Sequence, residues 1–168
     1  MKQVIDSMLN ELREEASTTK RVLDRVPEHK LGWQPHAKSM SLGQLALHVA
    51  SIPGNLTKLV QLDEFDASQA NFQPPAPGNL KEIRSALEES VRTAETYLAG
   101  MTERDATANW RLTLRGNEVF GKPRSAVLRS ILFNHWYHHR GQLSVYLRLL
   151  EIPVPVIYGR SADEDPFA

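Results

Sequence analysis

Residues 135–150 read HWYHHRGQLSVYLRLL, and the placing of the histidines in this stretch decides how the rest of the chain is read. His135 and His139 are four residues apart, so on a helix both imidazoles project from one face about one turn apart, the geometry that two ligands of one metal ion need. The same face continues through Gln142, Tyr146 and Leu149, and runs backward through Leu132, Ile131, Leu128 and Val127. Pro123 suits the first position of a helix, where its missing N–H costs nothing. A final helix of about seven turns is predicted, the longest in the chain and the most polar on its inner face. His138 is turned about 100° from His139 on helical geometry. It stands outside the pair, as a proton shuttle, a substrate-facing group or a packing residue.

Two histidines at this spacing are, taken alone, more often ordinary helix residues than ligands. A second stretch shifts the balance. Ser41-Leu42-Gly43-Gln44 has the form of a capping box, with Met40 and Leu45 as the accompanying staple. The helix it opens carries Leu42, Leu45, His48, Val49, Ile52, Leu56, Leu59 and Val60 along one stripe, with a kink expected at Pro53-Gly54. His48 thus sits in an otherwise apolar line. Three imidazoles converging inside one bundle would each suffer a desolvation penalty if left unpartnered, whereas one divalent cation satisfies all three lone pairs. The chain has no cysteine, so any metal site must be built from histidine and carboxylate.

Working outward, Ile5, Met8, Leu9, Leu12, Ala16, Thr19, Leu23 and Val26 recur at steps of three and four and predict a first helix ending near Pro27. The segment from Glu28 to Met40 holds Trp33, Pro35 and His36 and reads as a loop; Trp33 and His36 are candidates to cover the metal site, although solvated loop histidines are the plainer reading of His29 and His36. Asp63 to Gly78, ending PPAPG, is a second loop. Asn79 can cap a third helix with the stripe Leu80, Ile83, Leu87, Val91, Ala94 and Leu98, ending at Gly100. Between Met101 and Lys122, Trp110, Leu112 and Leu114 alternate with polar residues before Arg115-Gly116-Asn117, which suggests a short hairpin or irregular cover between helices 3 and 4. Residues 152–168, with three prolines, should form an extended tail packed on the surface. The expectation is an all-α four-helix bundle occupying residues 1–168 as a single domain.

Bulk composition narrows the function. Of 168 residues, 41% are apolar and 24% charged, ordinary values for a packed globular chain. Lys plus Arg number 20 and Asp plus Glu number 20, so no net positive field draws the chain to nucleic acid. No apolar run approaches the roughly 20 residues of a membrane span. The first residues, MKQVID, lead directly into an amphipathic helix with no secretion signal visible, and a cytoplasmic location is expected.

Two stretches, SLGQLALHVASIP at 41–53 and the H-x-x-H-H-R-G-Q pattern at 135–142, resemble the DinB-like superfamily of small metal-binding bundles, which includes YfiT-like proteins. With connecting lengths included, the resemblance covers nearly the whole chain. It implies an up-down-down-up bundle with long crossover connections, a three-histidine site for nickel or zinc falling on His48, His135 and His139, and a homodimer. Many relatives carry an acidic residue directly after the first helix-4 histidine; here that position is Trp136, so no carboxylate base comes from there. The family name derives from DNA-damage induction and implies no DNA-binding activity.

The first functional expectation is a metal-dependent hydrolase acting on a small molecule, since such an ion can lower the pKa of bound water to about 7. His138 or a loop residue would shuttle the proton. The second is a thiol S-transferase or thiol-dependent isomerase, because branches of the family activate a low-molecular-weight thiol on the metal; Arg140, Arg124 and Arg129 are candidates to hold such a cofactor. The third is a non-catalytic protein whose metal fixes the fold or a ligand. Gln142 and Tyr146 are placed to hydrogen-bond a ligating imidazole or a substrate, or simply to line the core.

Overall fold

The computed structural model describes residues 2–71, 73 and 75–167. Helix α1 (Lys2–Leu23) is followed by a loop containing a 3-10 turn (Glu28–Lys30), then by α2 (Leu42–Gln61). The capping box at its start is formed: Ser41 Oγ accepts the Gln44 N–H at 3.1 Å and Gln44 Oε1 accepts the Ser41 N–H at 2.9 Å. Strand β1 (Glu64–Asp66) leads to α3 (Leu80–Gly100), capped by Asn79, then to a short helix α4 (Glu103–Thr107) and the hairpin β2 (Asn109–Leu114) and β3 (Asn117–Pro123). The last helical rod is continuous but not uniform: α5 (Arg124–Val127), a π-wound segment (Leu128–Phe133) and α6 (Asn134–Leu149).

Side-chain pairs set the helix directions. Lys2, Arg13 and Asp24 meet Glu103, Glu95 and Arg84 in reverse order, so α1 and α3 are antiparallel. A Cβ at Gly43 would lie 3.1 Å from Pro77, just ahead of α3, and Gly54 further along α2 meets Ser90 of α3, so these two helices run together. Val60 and Val49 of α2 accept from Arg124 and Trp136, which makes α2 and the rod antiparallel. Glu11 meets Arg129 and Glu15 meets Arg140, so α1 and the rod are parallel. The four long helices run up, down, down and up.

The all-α expectation is corrected by a three-stranded sheet of order β1-β2-β3. The hairpin turns through Arg115 and Gly116 at φ 52° and 80°, a two-residue turn whose positive φ values match the twist of the strands it joins. Strand β1 lies in what the composition marks as loop. It pairs parallel to β2, Phe65 opposite Leu112, and the Asp66 carboxylate accepts the Arg115 and Gly116 N–H groups at 3.1 and 3.3 Å. Three residues carry no periodicity of their own; a partner strand distant in sequence makes them a strand. The sheet caps the end of α2: the buried Trp110 donates to Leu59 O at 3.2 Å, and Arg124 donates to Val60 O at 2.9 Å and Leu62 O at 3.0 Å. A cation on the last carbonyls of a helix satisfies orphan acceptors and opposes the negative end of the helix dipole. Among the described residues no helix is long and apolar enough to cross a membrane.

The tail is strapped to the bundle by charge. Arg21 of α1 and Arg25 just beyond it hold Glu164, Arg148 holds Asp163, and Tyr158 donates to Glu15 at 3.1 Å. Arg140, whose plain reading is a surface arginine, is 1% exposed. It pairs with Glu15 at 2.5 Å, donates to Thr19 Oγ1 at 3.2 Å and to the Tyr158 hydroxyl, and lies over the rings of Tyr137 and Tyr158. Removing one partner of a buried pair strands the other charge. Arg140→Ala is therefore expected to cost about 3 kcal/mol in urea unfolding, whereas Arg13→Ala, at the exposed Arg13–Glu95 pair, should stay within about 1 kcal/mol of the parent.

Candidate metal centre

Helix α2 presents His48 from its second turn, and α6 presents His135 and His139 from its first two. What brings these helices together at that level is a backbone defect. Pro53 has no N–H, so the carbonyl of Val49, four residues earlier, lacks its helical donor. The indole Nε1 of Trp136 supplies one at 2.9 Å, fully buried. Val49 follows His48 and Trp136 follows His135. The bond therefore fixes the spacing between two ligands by joining their chain neighbours. Gly54 meets the same interruption on its other side: its N–H donates to Ser90 Oγ at 2.7 Å, and a Cβ there would come within 2.8 Å of the Ser90 backbone. The helix consequently runs through Pro53-Gly54 without a break.

The π segment sets the rotation of α6. A π turn holds more residues than an α turn, so it offsets the faces of the helix before and after it. Leu128, Leu132 and Phe133 lead into a buried line of Trp136, Arg140, Leu143 and Leu147. The line of His135, His139, Gln142 and Tyr146, expected inside, lies one residue to the side: the two histidines and Tyr146 are half-buried and Gln142 is exposed. The histidines thus stand at the margin of the core, facing α2 and a cavity.

The three rings form a compact group. His48 Nε2 and His135 Nε2 are 3.1 Å apart, and the His139 ring centroid lies 4.5 Å from each of the other two. One ligand nitrogen from each ring can be chosen so that all lie within 4.8 Å of one another. Nitrogens about 2.05 Å from a tetrahedral zinc ion would be about 3.3 Å apart. The donor set therefore fits a divalent ion of that size. His139 Nδ1 donates to Gln142 Oε1 at 2.6 Å, which leaves the lone pair on Nε2. Burial, followed by the neighbouring imidazoles, depresses His48 and His135 to about 4, and burial also lowers His139. All three are neutral at pH 7 and ready to coordinate without losing a proton.

A cavity of about 540 Å³ opens over this group. Besides the three histidines it is lined by Met40, Leu47, Ser51 and Asn55 from α2 and its approach, and by Asn71, Gln73 and Pro75 from the loop ahead of α3. Ser51 and Asn55 follow His48 at three and seven residues, a same-face spacing visible in the sequence but overlooked beside the apolar stripe. Other expected site residues fall elsewhere. Trp33 packs edge-on against Tyr146 at 5.6 Å, and Tyr146 donates to Met40 O at 3.3 Å, so both support the cavity wall from behind without lining it. His36 is exposed, accepts the Lys38 N–H at 3.1 Å and does not line the cavity. His138 is exposed, its ring 4.8 Å from that of His139. The arginines considered for a thiol cofactor are all engaged elsewhere: Arg140 with Glu15, Arg124 with the end of α2 and Asp63, and Arg129 with Glu11.

Comparison with known proteins identifies the family and the fold. A model of the DinB family matches residues 1–165. The uncharacterized protein YrdA of Bacillus subtilis is 25% identical over 169 residues, covering 98% of this chain and 93% of that protein. The crystal structure of a DinB-like protein from Bacillus cereus superposes with a TM-score of 0.70 at 22% identity, over 91% of this chain and 97% of the other. That of the DinB-like protein YjoA from Bacillus subtilis gives 0.67 at 20% identity, over 92% and 99%. These structures share the fold.

Two outcomes follow from the geometry. Trp136→Phe leaves the Val49 carbonyl buried without a donor and should cost about 1–3 kcal/mol. In the Pro53→Ala background, which restores the helical N–H, the same change should cost less by about 1 kcal/mol, a coupling that a double-mutant cycle in urea measures. Histidines depressed to about 4 bind no proton between that pH and their usual 6.5, whereas the unfolded chain does. Stability of the metal-free protein should accordingly fall as pH is lowered through this window, and His48→Gln should flatten the decline in thermal melts recorded with chelator.

Proposed function

Because the chain belongs to the DinB family and gathers three imidazoles that can share one cation, we propose that His48, His135 and His139 hold a single nickel or zinc ion and that the protein is a metal-dependent hydrolase of a small molecule. The observation that carries this reading is the convergence of three neutral ring nitrogens on the wall of a ligand-sized cavity. Bound there, such an ion lowers the pKa of coordinated water to about 7 and polarises a carbonyl oxygen.

The chain's own residues have defined parts in this reading. As neutral ligands the three imidazoles would hold a cation without offsetting its charge. Gln142 holds the His139 ring by its Nδ1 hydrogen, and Trp136 holds the two helices in register. No carboxylate lines the cavity among the described residues, and Trp136 stands where a carboxylate base would otherwise follow His135. His138, exposed beside His139, is the group we assign to proton exchange with solvent. The thiol-transferase alternative loses its support in the arginines, each of which is committed to a structural pair.

Protein purified without chelator and without nickel affinity resin should contain about one divalent ion per chain by mass spectrometry. The His135→Ala, His139→Ala double variant should contain none while remaining folded. The loaded protein should hydrolyse a neutral activated ester with a rate that rises through about pH 7. An empty, folded parent would end the metal reading; a loaded parent inert toward esters would end the hydrolase reading alone and favour a non-catalytic metal protein.

A further inference from the structure

Beside the histidine cavity lies a smaller one of about 170 Å³, set in the groove where α2 and α3 run together. The two share Ser51 and Asn55 as a common wall, so one ligand can occupy both. The floor of the smaller cavity is made of short residues. Gly54 meets the Ser90 backbone so closely that a Cβ has no room, and Ala86 lies one turn before Ser90. Two helices brought into contact by residues without bulk leave a notch above the contact.

Opposite charges stand on the two walls of this notch. Ser51, Asn55 and Lys58 recur at steps of four and three along α2, and Glu89 and Thr93 face them from α3. Lys58 makes no hydrogen bond or ion pair with any described residue, and the side chains of Ser51 and Asn55 are likewise uncommitted. Glu89 gives one carboxylate oxygen to Arg92 on its own helix and leaves the other open. Lys58 and Glu89 thus line the same notch without pairing across it. Both are exposed, so a ligand is recognised there by the arrangement of its charges in water and not by exclusion of solvent. A lone carboxylate would gain Lys58 and meet Glu89, and a lone ammonium the reverse. A group that carries both charges on one carbon gains both.

We propose that the notch receives the α-amino-acid end of the substrate, its carboxylate on Lys58 and the Asn55 carboxamide and its ammonium on Glu89. Asn55, where the cavities join, lies seven residues beyond His48, so the reacting carbonyl stands at the histidine end about 10 Å away. This substrate class rests on the three-histidine metal reading and extends it.

The test reads binding, not turnover. Three hydroxamic acids of equal chain length are titrated into the cobalt(II)-loaded protein and followed by the visible absorption of the ion. The far carbon of the first bears both an ammonium and a carboxylate, that of the second a carboxylate alone, and that of the third an ammonium alone. The zwitterionic probe should bind at least about threefold tighter than either of the others at low ionic strength, since each exposed charge pair contributes a few-fold. The advantage should shrink in about 1 M salt. Lys58→Met should erase it relative to the ammonium probe and Glu89→Gln relative to the carboxylate probe, while the head alone, as acetohydroxamic acid, should bind parent and variants equally. Equal binding of the three probes by the parent, or a preference that neither substitution alters, overturns the notch as the amino-acid site and leaves the metal site standing. Failure of cobalt to give a histidine-dependent spectrum removes the metal reading, and this inference falls with it.

Discussion

The Val49 carbonyl, deprived of its helical donor by Pro53, is the constraint around which the site is arranged. A buried orphan acceptor costs about 1–3 kcal/mol, so α2 cannot carry a proline at this depth without an external donor. Trp136 meets that need from α6, and its indole is long enough to hold the helices apart by a fixed spacing while filling the core between them. The two histidines adjoining this bond inherit its geometry. An apolar residue at either position would leave the imidazoles to be positioned by packing alone, which tolerates rotation more readily than a directional bond does.

Charge is partitioned between the two sides of the final rod. Toward α1 lie Arg129 with Glu11 and Tyr137, and Arg140 with Glu15 and Tyr158. Arg129 draws Glu11 below the usual carboxylate range, and burial together with Glu11 pushes the Tyr137 hydroxyl well above its own. Toward α2, at the level of the histidines, lie imidazoles, hydroxyl and carboxamides without a full charge, and Arg124 meets α2 only at its far end. The ionic network binds helix to helix and tail to bundle, and on the other side burial leaves the imidazoles neutral. A carboxylate among them would raise their proton affinity and compete with a metal for the same lone pairs.

Much of this was legible because the relevant signals are local. Ser41 and Gln44 announce the start of α2, the four-residue spacing of His135 and His139 follows directly from helical geometry, and Arg115-Gly116 marks a turn. What escaped depends on partners remote in sequence. Glu64–Asp66 becomes a strand only beside β2, and Arg140 is buried only because Glu15, Thr19 and Tyr158 meet it there. Trp136 drew notice for the carboxylate it replaces, whereas its role is set by a proline 83 positions earlier. The winding of residues 128–133 leaves no mark in an apolar run that fits either helix type, so periodicity alone sets the phase of α6 one residue away from the observed one.

That winding also acts as a vernier between two antiparallel rods. The rod is fastened to α2 at two levels, Arg124 to Val60 and Trp136 to Val49, and the intervals differ: eleven residue steps on α2 against twelve on its neighbour. The wider turn takes up the odd residue. Evolution can thus alter the capped end, with its sheet, and the histidine end by separate changes, because loss of a single residue between 128 and 133 would regear one against the other by about 100°. A helix usually transmits every insertion along its whole length; here a slipped tooth lies between the part that closes the bundle and the part that meets the ligand.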